Sequence, residues 1–324
     1  MAMARARHAL MQAGLDPSVP LVAASSVTNE VWMSAHHVVR VNRHPNQRLR
    51  REAILGPSLP AEIGYPMVVS YGGQMGADYL VMLRVPGRPL AHCWPEMNRA
   101  QRRDAIRQLA EKLRRLHITP GPPDLPGIDA PQMLRSDTLS PVMSLLVAID
   151  QLRSHPNIDF GLIDEVEHLV FELTPSIEPF ESDFLVHGDL TFENILWDGK
   201  HITAVLDFEW ARASPPDVDL DVLLRFCCLP QLHVAEAYVD VTRPADYADV
   251  PWWLQESYPE LFAIPRQIDR LRLYSIAYDV RDLTMSPPPA PADQLHEHHA
   301  MNRLRDTVRG RSHLDLLDAA TRVG

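Results

Sequence analysis

The sequence contains very little lysine. Only Lys112 and Lys200 are lysines among its 31 lysine and arginine residues, so 29 of its basic side chains are arginines. Any role that proteins usually give to a lysine must therefore fall to one of these two positions, to an arginine, or to no residue. Arginine is not an equivalent substitute, because its planar guanidinium is larger than an ammonium group and binds anions through a fork of donors.

Cysteine is also scarce. The three cysteines, Cys93, Cys227 and Cys228, are odd in number and two of them are adjacent, which excludes the disulfide framework of small secreted proteins. No Cys-x-x-Cys or cysteine–histidine spacing indicates a zinc site. We therefore expect a chain that works in a reducing compartment, and we predict a cytoplasmic location.

Long hydrophobic runs are missing as well. The longest apolar stretch, at residues 141–149, is far shorter than the ~18 residues that indicate a membrane-spanning helix. The N-terminus lacks the apolar core of a secretory signal. With 46% hydrophobic and 23% charged residues, the 324-residue chain has the composition of a globular protein. At ~150 residues per domain, its length predicts two domains or one large fold of two lobes, with no membrane contact.

Charge is distributed unevenly along the chain. Residues 1–120 hold 16 basic and 8 acidic residues, a net charge of +8, whereas residues 121–324 hold 15 and 34, a net charge of −19. A nucleic-acid-binding surface is basic where it contacts phosphate, so we expect no nucleic-acid partner. The acidic part favours a cationic partner or one that carries a metal ion. An acidic surface that only keeps the protein soluble is the alternative.

Secondary-structure patterns divide the chain into a β-rich part and a helical part. Short strand patterns with one intervening helix dominate the beginning of the chain, and the Val-Pro-Gly-Arg-Pro segment at 85–89 ends them. A helix is then predicted from Pro95 to about His117, because its apolar residues recur at spacings of three and four. We therefore predict an α+β fold with an N-terminal unit at residues 1–86 and a C-terminal unit at residues 87–324.

The stretch with the clearest chemical pattern is at residues 186–208. Asp189 and Asn194 lie five residues apart after a short strand, and Asp207 follows a predicted hairpin with an Asp-Gly turn. Phosphoryl transfer from a nucleotide requires a carboxylate that orients the attacking hydroxyl and accepts its proton, and oxygen ligands that hold Mg²⁺. Each side chain alone could be an ordinary turn or cap residue, but the occurrence of all three at these spacings favours a catalytic site.

This stretch resembles the aminoglycoside phosphotransferase family, which has the wider protein-kinase-like fold. Residues 187–194 read His-Gly-Asp-Leu-Thr-Phe-Glu-Asn, matching the family's HGDLxxxN catalytic loop, and residues 206–211 match its metal-binding segment. The resemblance implies a bilobal protein-kinase-like fold with a small β-rich N-lobe that binds the nucleotide and a larger, mostly helical C-lobe. It also implies that Asp189 is the catalytic base and that Asn194 and Asp207 are Mg²⁺ ligands.

The same resemblance assigns phosphate contacts in the N-terminal unit. The segment before the second strand occupies the place of the family's phosphate-covering loop, with Ser26 and Asn29 as candidate contacts, although the segment has no glycine. Arg40 stands where the kinase fold has its phosphate-pairing lysine, and Glu52 on the next helix is its expected partner. The rival partners for Glu52 are the neighbouring arginines Arg48, Arg50 and Arg51.

The segment that connects the two units is expected to hold the base of the nucleotide. Residues 79–90, Tyr-Leu-Val-Met-Leu-Arg-Val-Pro-Gly-Arg-Pro-Leu, resemble the family's connector between the lobes. By that resemblance, backbone groups of three residues would hydrogen-bond the adenine or guanine edge. These residues are Met82, Leu83 and Arg84.

The resemblance implies an enzyme that moves the γ-phosphate of ATP or GTP to a hydroxyl group of a small molecule, with Mg²⁺ as cofactor. The acidic part of the chain favours a cationic acceptor, such as an antibiotic of the aminoglycoside type. The candidate acceptor contacts are Glu209, Asp217 and Asp221, and further acidic candidates are Asp240, Asp246 and Asp249. Two alternatives stay open: a metabolic kinase for a sugar, amino alcohol or amino acid, and a non-catalytic nucleotide-binding pseudokinase, which Arg40 and the glycine-free loop suggest.

Overall fold

The computed structural model describes residues 2–24, 29–122, 124–135 and 140–317. The chain forms two compact units, of which the first comprises residues 1–128, 187–211 and 231–242, and the second residues 129–186, 212–230 and 243–324. These units group the chain differently from the predicted boundary after residue 86, because the segment with the catalytic-loop motif packs in the same unit as the N-terminal strands. A functional division at that boundary stays a prediction.

Most strand residues precede residue 90 and most helical residues follow it, as the sequence predicts. In the described residues the helices are α1 (Ala2–Gln12), α2 (Arg48–Leu55), α3 (Leu90–Cys93), α4 (Arg99–Leu116), α5 (Pro141–Leu152), α6 (Phe160–Leu173), α7 (Asp217–Cys228), α8 (Val250–Ser257), α9 (Gln267–Met285) and α10 (Ala300–Val308). The strands are β1 (Val22–Ala24), β2 (Asn29–Met33), β3 (His37–Asn42), β4 (Val68–Gly72), β5 (Tyr79–Leu83), β6 (Arg88–Pro89), β7 (Leu185–Val186), β8 (Ile195–Trp197), β9 (Ile202–Val205) and β10 (Arg212–Ala213).

A five-stranded antiparallel sheet in the order β1–β2–β3–β5–β4 forms the centre of the first unit. Side chains alternate between the two faces of a strand. Val39 and Val41 of β3 pack with helix α1 in one buried cluster. The opposite face packs against helix α2, where Leu49 contacts Leu80. Because Arg40 alternates with these two valines, it lies on the face of the sheet that carries α2.

A hairpin of β8 and β9 joins the two segments that carry the predicted site. The backbone N–H of Leu206 donates to the carbonyl oxygen of Asn194 at 2.7 Å, at the open end of the hairpin. The turn is the predicted Asp-Gly pair: Asp198 Oδ1 accepts from the amides of Lys200 and His201, and Gly199 has a φ of +105°. Only glycine adopts such a φ readily. The turn chemistry therefore fixes the register that sets Asn194 beside Leu206.

Helix α4 begins later than the sequence predicts. Pro95 lies in a short 3-10 turn, and the helix begins at Arg99. Asn98 is the N-cap: its side chain accepts from the amide of Gln101, and the Gln101 side chain accepts from the amide of Asn98. This capping box satisfies two amides that would otherwise lack partners at the helix start, so it overrides the proline as the start signal.

The second unit is mostly helical. Helix α9 is its central element and contacts α5, α6, α7 and α10. Buried side chains along α9 include Leu273, Ile276 and Val280. The short strands β7 and β10 pair with each other in antiparallel orientation. Across the described ranges, no helix combines the length and the apolar character needed to cross a membrane.

Candidate active site

The catalytic-loop motif begins with a histidine that connects the loop to the end of strand β9. His187 is fully buried, and its Nε2 lies 2.7 Å from the carbonyl oxygen of Leu206. The backbone N–H of Asp189 donates to His187 Nδ1 at 3.2 Å, so Nδ1 accepts and Nε2 donates. Gly188 has a φ of +78°, which other residues rarely adopt. The imidazole therefore holds the backbone of Asp189 in place.

Asp189 and Asn194 contact each other directly. Asn194 Nδ2 donates to the carbonyl oxygen of Asp189 at 2.9 Å and to its Oδ2 at 3.4 Å, which leaves the amide oxygen of Asn194 for a cation. Burial raises the pKa of the Asp189 carboxyl and the charge of Asp207 raises it further, while the Asn194 bond and the positive charge of Arg48 oppose the increase. A carboxylate with a raised pKa is a stronger proton acceptor.

Asp207 has a left-handed backbone conformation, with φ of 62° and ψ of 55°. Residues other than glycine populate this region rarely, and aspartate does so more often than most. The residue follows strand β9, its side chain is 31% exposed, and its Oδ1 accepts from Arg40 Nη2 at 2.9 Å. Unusual backbone conformations of this kind are concentrated at functional sites.

Arg40 is the centre of a cluster of three carboxylates. Its guanidinium lies 2.5 Å from Glu52 Oε1, 2.9 Å from Asp207 Oδ1 and 3.4 Å from Glu209 Oε2. Burial lowers the pKa of Arg40, but the three carboxylates outweigh burial and hold the pKa above its ordinary value. The predicted pairing of Arg40 with Glu52 is confirmed by this contact, whereas its contact with a nucleotide stays a prediction.

Glu52 is held by a tyrosine that the sequence analysis did not identify. The hydroxyl group of Tyr65 donates to Glu52 Oε2 at 2.8 Å, while Oε1 accepts from Arg40. Glu52 is fully buried, and burial raises the pKa of its carboxyl to about 7, although the charge of Arg40 acts against the increase. Both oxygens of the carboxylate therefore have partners inside the first unit.

Glu209 lies in the Arg40 cluster rather than in an acceptor site. The residue is 3% exposed; its Oε1 accepts from Arg48 Nη1 at 3.0 Å and its Oε2 from Arg40 Nη2. Burial raises the pKa of the Glu209 carboxyl and the charge of Asp207 adds to the increase, while the positive charges of Arg40 and Arg48 oppose it. The prediction that Glu209 contacts the acceptor is wrong, because its carboxylate is enclosed between two arginines.

Arginines of helix α2 fix the segment that follows Asp207. The Arg48 guanidinium lies 5.0 Å from the ring centre of Trp210. Arg51 Nε donates to the carbonyl oxygen of Glu209 at 3.1 Å, and its Nη2 donates to that of Ala211. In the sequence, Arg48 and Arg51 are indicated only as rival partners for Glu52. The sequence does offer one sign of such a role: three arginines, Arg48, Arg50 and Arg51, lie at the start of this helix in a chain that has almost no lysine.

Asp217 and Asp221 are interior residues of the second unit. Asp217 accepts from Arg270 Nε at 2.6 Å and from the Tyr274 hydroxyl at 3.1 Å, and Asp221 accepts from Ser275 Oγ at 2.8 Å. Both carboxylates are fully buried. The prediction that they contact the acceptor is wrong, because an enclosed carboxylate with interior partners offers no surface to a dissolved molecule. They connect helix α7 to helix α9 instead.

The backbone donors predicted to bind the nucleobase are used by the sheet. The N–H of Leu83 donates to the carbonyl oxygen of Met67 at 3.0 Å, and the N–H of Arg84 donates to that of His36 at 2.8 Å. Met82 is paired inside strand β5 and is 5% exposed. The prediction is therefore wrong for the amides of Leu83 and Arg84, because an amide that already donates to a neighbouring strand is not available to a base.

The predicted phosphate-covering loop is described only at its end. Ser26 lies outside the described residues, so its nucleotide contact stays a prediction. Asn29 is the first residue of β2, pairs in register with Asn42 of β3, and is fully buried. The prediction for the Asn29 side chain is wrong, because a side chain without exposed surface cannot contact a nucleotide.

The carboxylates of the Arg40 cluster also have the spacing of a cation site. Among the residues that the structure describes, one oxygen from each of Glu52, Asp207 and Glu209 lies within 4.8 Å of the others. Oxygen ligands of this kind suit Mg²⁺. The first and last of these carboxylates are buried against arginines, whereas Asp207 is partly exposed. Asp207 is therefore the carboxylate of this cluster that is open to a cation, and the role of Asn194 as a second Mg²⁺ ligand stays a prediction.

The known sequences that match this chain are also phosphotransferases. A family model described as the phosphotransferase enzyme family matches residues 23–253. An aminoglycoside 3'-phosphotransferase from Streptomyces ribosidificus is 31% identical over 166 residues, which cover 50% of this chain and 59% of that protein. The match thus spans less than two thirds of the relative's length.

Solved structures share the fold over nearly the whole chain. An aminoglycoside phosphotransferase in complex with ADP and hygromycin B has a TM-score of 0.58 at 16% identity, covering 98% of each chain. A second, in complex with streptomycin and ATP, has a TM-score of 0.60 at 15% identity, covering 95% of this chain and 96% of that chain. A choline/ethanolamine kinase family protein from Mesorhizobium loti has a TM-score of 0.62 at 18% identity, covering 100% of both chains. The predicted α+β kinase-like fold class is confirmed.

Proposed function

The chain belongs to the phosphotransferase enzyme family, and we propose that it moves the γ-phosphate of ATP or GTP to a hydroxyl group of a cationic small molecule of the aminoglycoside type. The observation that supports this reaction most strongly is the direct contact of Asp189 with Asn194, next to the hairpin that leads to Asp207. An aspartate that only forms a turn would not be expected to contact an asparagine five residues later in the chain.

Asp189 is the proposed base of the reaction. Its carboxylate orients the acceptor hydroxyl and takes its proton as the oxygen attacks the γ-phosphorus. The new bond joins the acceptor oxygen to phosphorus, and the bond to the leaving nucleoside diphosphate breaks. The raised pKa of Asp189, caused mainly by burial, makes the carboxylate a better proton acceptor than an exposed aspartate.

Arg40 and the oxygen ligands are the proposed nucleotide-binding groups. Arg40 takes the part that a strand lysine plays in relatives of the kinase fold, and Glu52 holds its guanidinium in position. Asn194 and Asp207 are the residues that would hold Mg²⁺, which when bound neutralises charge on the phosphate groups. This set requires no lysine, in agreement with the composition of the chain.

The acceptor class is supported by charge and by similarity. The net charge of −19 in residues 121–324 attracts cations. The sequence relative that matches is named an aminoglycoside 3'-phosphotransferase. With Asp217 and Asp221 buried, the attraction rests on exposed acidic residues such as Asp240.

A metabolic kinase that acts on an amino alcohol is the second candidate. The similarity to a choline/ethanolamine kinase family protein favours it, with a TM-score of 0.62 over 100% of both chains. Such an acceptor is also cationic, so the charge of the chain agrees with both candidates. The two differ in acceptor size and in the number of positive charges that the site must balance.

A screen of acceptors tests the function. The protein is incubated with Mg²⁺ and either ATP or GTP, together with aminoglycosides, amino alcohols and neutral sugars, and acceptor-stimulated formation of nucleoside diphosphate is measured. We expect stimulation by a cationic acceptor and none in the Asp189→Asn variant. Asp198→Asn, in the exposed hairpin turn, is the matched control and should retain activity. Efficient transfer to neutral acceptors alone would contradict the proposed acceptor class.

A further inference from the structure

Arg48 occupies a position that is unfavourable for a cation. It is the first residue of helix α2, whose first turn contains no acidic residue. The N-terminus of a helix carries a partial positive charge, so an arginine there is destabilising unless an anion lies nearby. In the structure that anion is Glu209, 3.0 Å away. Arg48 therefore depends on an anionic partner from outside its own helix.

Two arginines enclose a single carboxylate in this unit. Arg48 Nη1 contacts Glu209 Oε1 at 3.0 Å, and Arg40 Nη2 contacts Oε2 at 3.4 Å. A phosphate group presents its oxygens to guanidinium groups in much the same fork geometry as a carboxylate, and it carries more charge. The space between Arg40 and Arg48 therefore has the chemistry of a phosphate site that Glu209 fills.

Arg48 is also accessible and close to the reaction centre. Its side chain is 23% exposed, compared with 4% for the Glu209 side chain that it contacts. Its partner Glu209 also contacts Arg40, and Arg40 Nη2 lies 2.9 Å from Asp207 Oδ1, so Arg48 belongs to the cluster around Asp207. Arg51 differs, because its guanidinium is buried and bonds to the backbone carbonyl oxygens of Glu209 and Ala211. Of these helix arginines, Arg48 is thus the one suited to a ligand.

We propose that Arg48 is a second phosphate-contacting arginine of this enzyme: when the nucleotide binds, Arg40 and Arg48 contact oxygens of its phosphate groups in place of Glu209. This inference rests on the proposed phosphotransferase function and extends it. In this proposal the Glu209 carboxylate holds the guanidinium groups of Arg40 and Arg48 together until a phosphate group replaces it.

Nucleotide binding tests the proposal without any acceptor. Binding of ATP and GTP, and of adenosine and guanosine, is measured by calorimetry for the wild-type protein and for Arg48→Ala, Arg48→Lys and Arg50→Ala. We expect Arg48→Ala to weaken binding of the nucleoside triphosphate about tenfold or more, because a charge-assisted contact is lost, and to leave nucleoside binding unchanged. Arg48→Lys, which keeps the charge but not the fork, should lose less. Arg50 is exposed on the same helix, and its replacement should change neither affinity.

Glu209→Gln separates a replaceable partner from a structural one. If Glu209 only fills the place of a phosphate, its neutralisation removes a competing anion and should strengthen binding of the triphosphate several-fold. If the pair is purely structural, Glu209→Gln should weaken binding of nucleoside and triphosphate alike. Weaker binding of both ligands would therefore overturn the proposal, as would an unchanged triphosphate affinity in a folded Arg48→Ala.

The outcomes also distinguish this inference from the proposed function. A wild-type protein that binds neither ATP nor GTP would contradict both the proposed function and this inference. A wild-type protein that binds and transfers phosphate, with an Arg48→Ala variant of equal affinity, would leave the function standing and remove only Arg48 from the site. Should Arg48→Ala fail to fold, Arg48→Lys decides the question, since a triphosphate affinity equal to that of the wild type would count against a fork contact.

Discussion

The two compact units neutralise their buried carboxylates differently. In the second unit Asp217 has its own arginine, Arg270, and Asp279 has two arginines, Arg225 and Arg303, within 2.9 Å. In the first unit, three carboxylates share Arg40, and one of them also shares Arg48. The three carboxylates and two arginines of the first unit thus leave one more negative than positive charge in a confined space.

The difference indicates which buried charges stabilise and which serve a ligand. A buried charge is costly unless it is paired and hydrogen-bonded, and the arginines beside Asp217 and Asp279 offset that cost in the second unit. Burial raises the pKa of Glu52 and of Glu209, and the negative charge of the neighbouring Asp207 raises both pKa values further. We interpret the surplus as a site that is completed by a cation and a phosphate.

The largest effect is expected in the first unit, at Asp189. Replacing Asp189 with asparagine removes the proton acceptor and keeps its shape, so we expect phosphoryl transfer to fall about 10²–10⁴-fold. Nucleotide affinity should change little, because Asp189 has no proposed contact with the nucleotide. The measurements are the transfer rate with a stimulating acceptor and the dissociation constant of ATP or GTP. Transfer at the wild-type rate would show that Asp189 is not the base.

In the second unit, we expect that breaking a buried ion pair lowers the stability of the fold and does not act on the chemistry of the proposed active site. Arg270→Met leaves the Asp217 carboxylate buried without its cation, so we expect the free energy of unfolding to fall by about 3–5 kcal/mol. Arg272→Met is the control, because its contact with Asp269 at 3.7 Å is partly exposed and should contribute less than about 1 kcal/mol. Urea denaturation measures both. Equal losses for the two variants would break the distinction between the units.

A third prediction concerns the shared arginine of the first unit. Arg40→Ala removes the guanidinium that contacts Glu52, Asp207 and Glu209, and we expect the nucleotide KM to rise about 10–100-fold, the range of a charge-assisted hydrogen bond. Arg40→Lys should recover part of the affinity, since it restores the charge but not the fork. Steady-state kinetics with varied ATP or GTP measures both variants. An unchanged nucleotide KM in Arg40→Ala would remove Arg40 from the site.

The smallest effect is expected at a helix cap of the second unit. His299 Nδ1 accepts from the amide of Met301 at the start of α10, and burial together with the charge of Arg303 lowers the pKa of His299 below 6.5. Because the folded protein binds this proton less readily than the unfolded chain, the free energy of unfolding should decrease as the pH falls below about 6.5 and through the lowered pKa. We expect about 0.5–1 kcal/mol, the contribution of a cap.

His299→Asn isolates that contribution. Asparagine caps a helix without titrating, so the difference in thermal stability between this variant and the wild type should grow between pH 7 and pH 5. A difference that is constant with pH would mean that protonation of His299 has no effect on the stability of α10. The other histidines titrate equally in both proteins and cancel in the comparison.

Local sequence patterns predict the structure correctly where neighbouring residues determine it. The Asp-Gly turn and the spacing of Asp189, Asn194 and Asp207 depend on neighbouring residues, and the hairpin forms as predicted. The predictions for Glu209, Asp217 and Asp221 are wrong because they rest on charge alone. Charge does not reveal burial, because an arginine distant in sequence, such as Arg270 for Asp217, can enclose a carboxylate within the fold.

The same limit explains the errors at the nucleotide-binding residues. The identity of Leu83 and Arg84 is irrelevant to a backbone contact; what matters is which neighbouring strand uses each amide, and this is set by the pairing of β5. Asn29 is polar, yet it is the first residue of a strand and fully buried. Strand pairing joins residues that are far apart in sequence, so no local pattern indicates it.

Residue identity and short-range spacing are enough to predict the family, the α+β fold class, the catalytic-loop motif and an arginine in place of the missing lysine. The partners of that arginine depend on the folded structure. Arg40 is 12 residues from Glu52 and 167 from Asp207 in the chain, and the sheet, helix α2 and the hairpin must all form before the three side chains meet. Side-chain charges become a site only when long-range packing removes the water between them and makes their interactions strong.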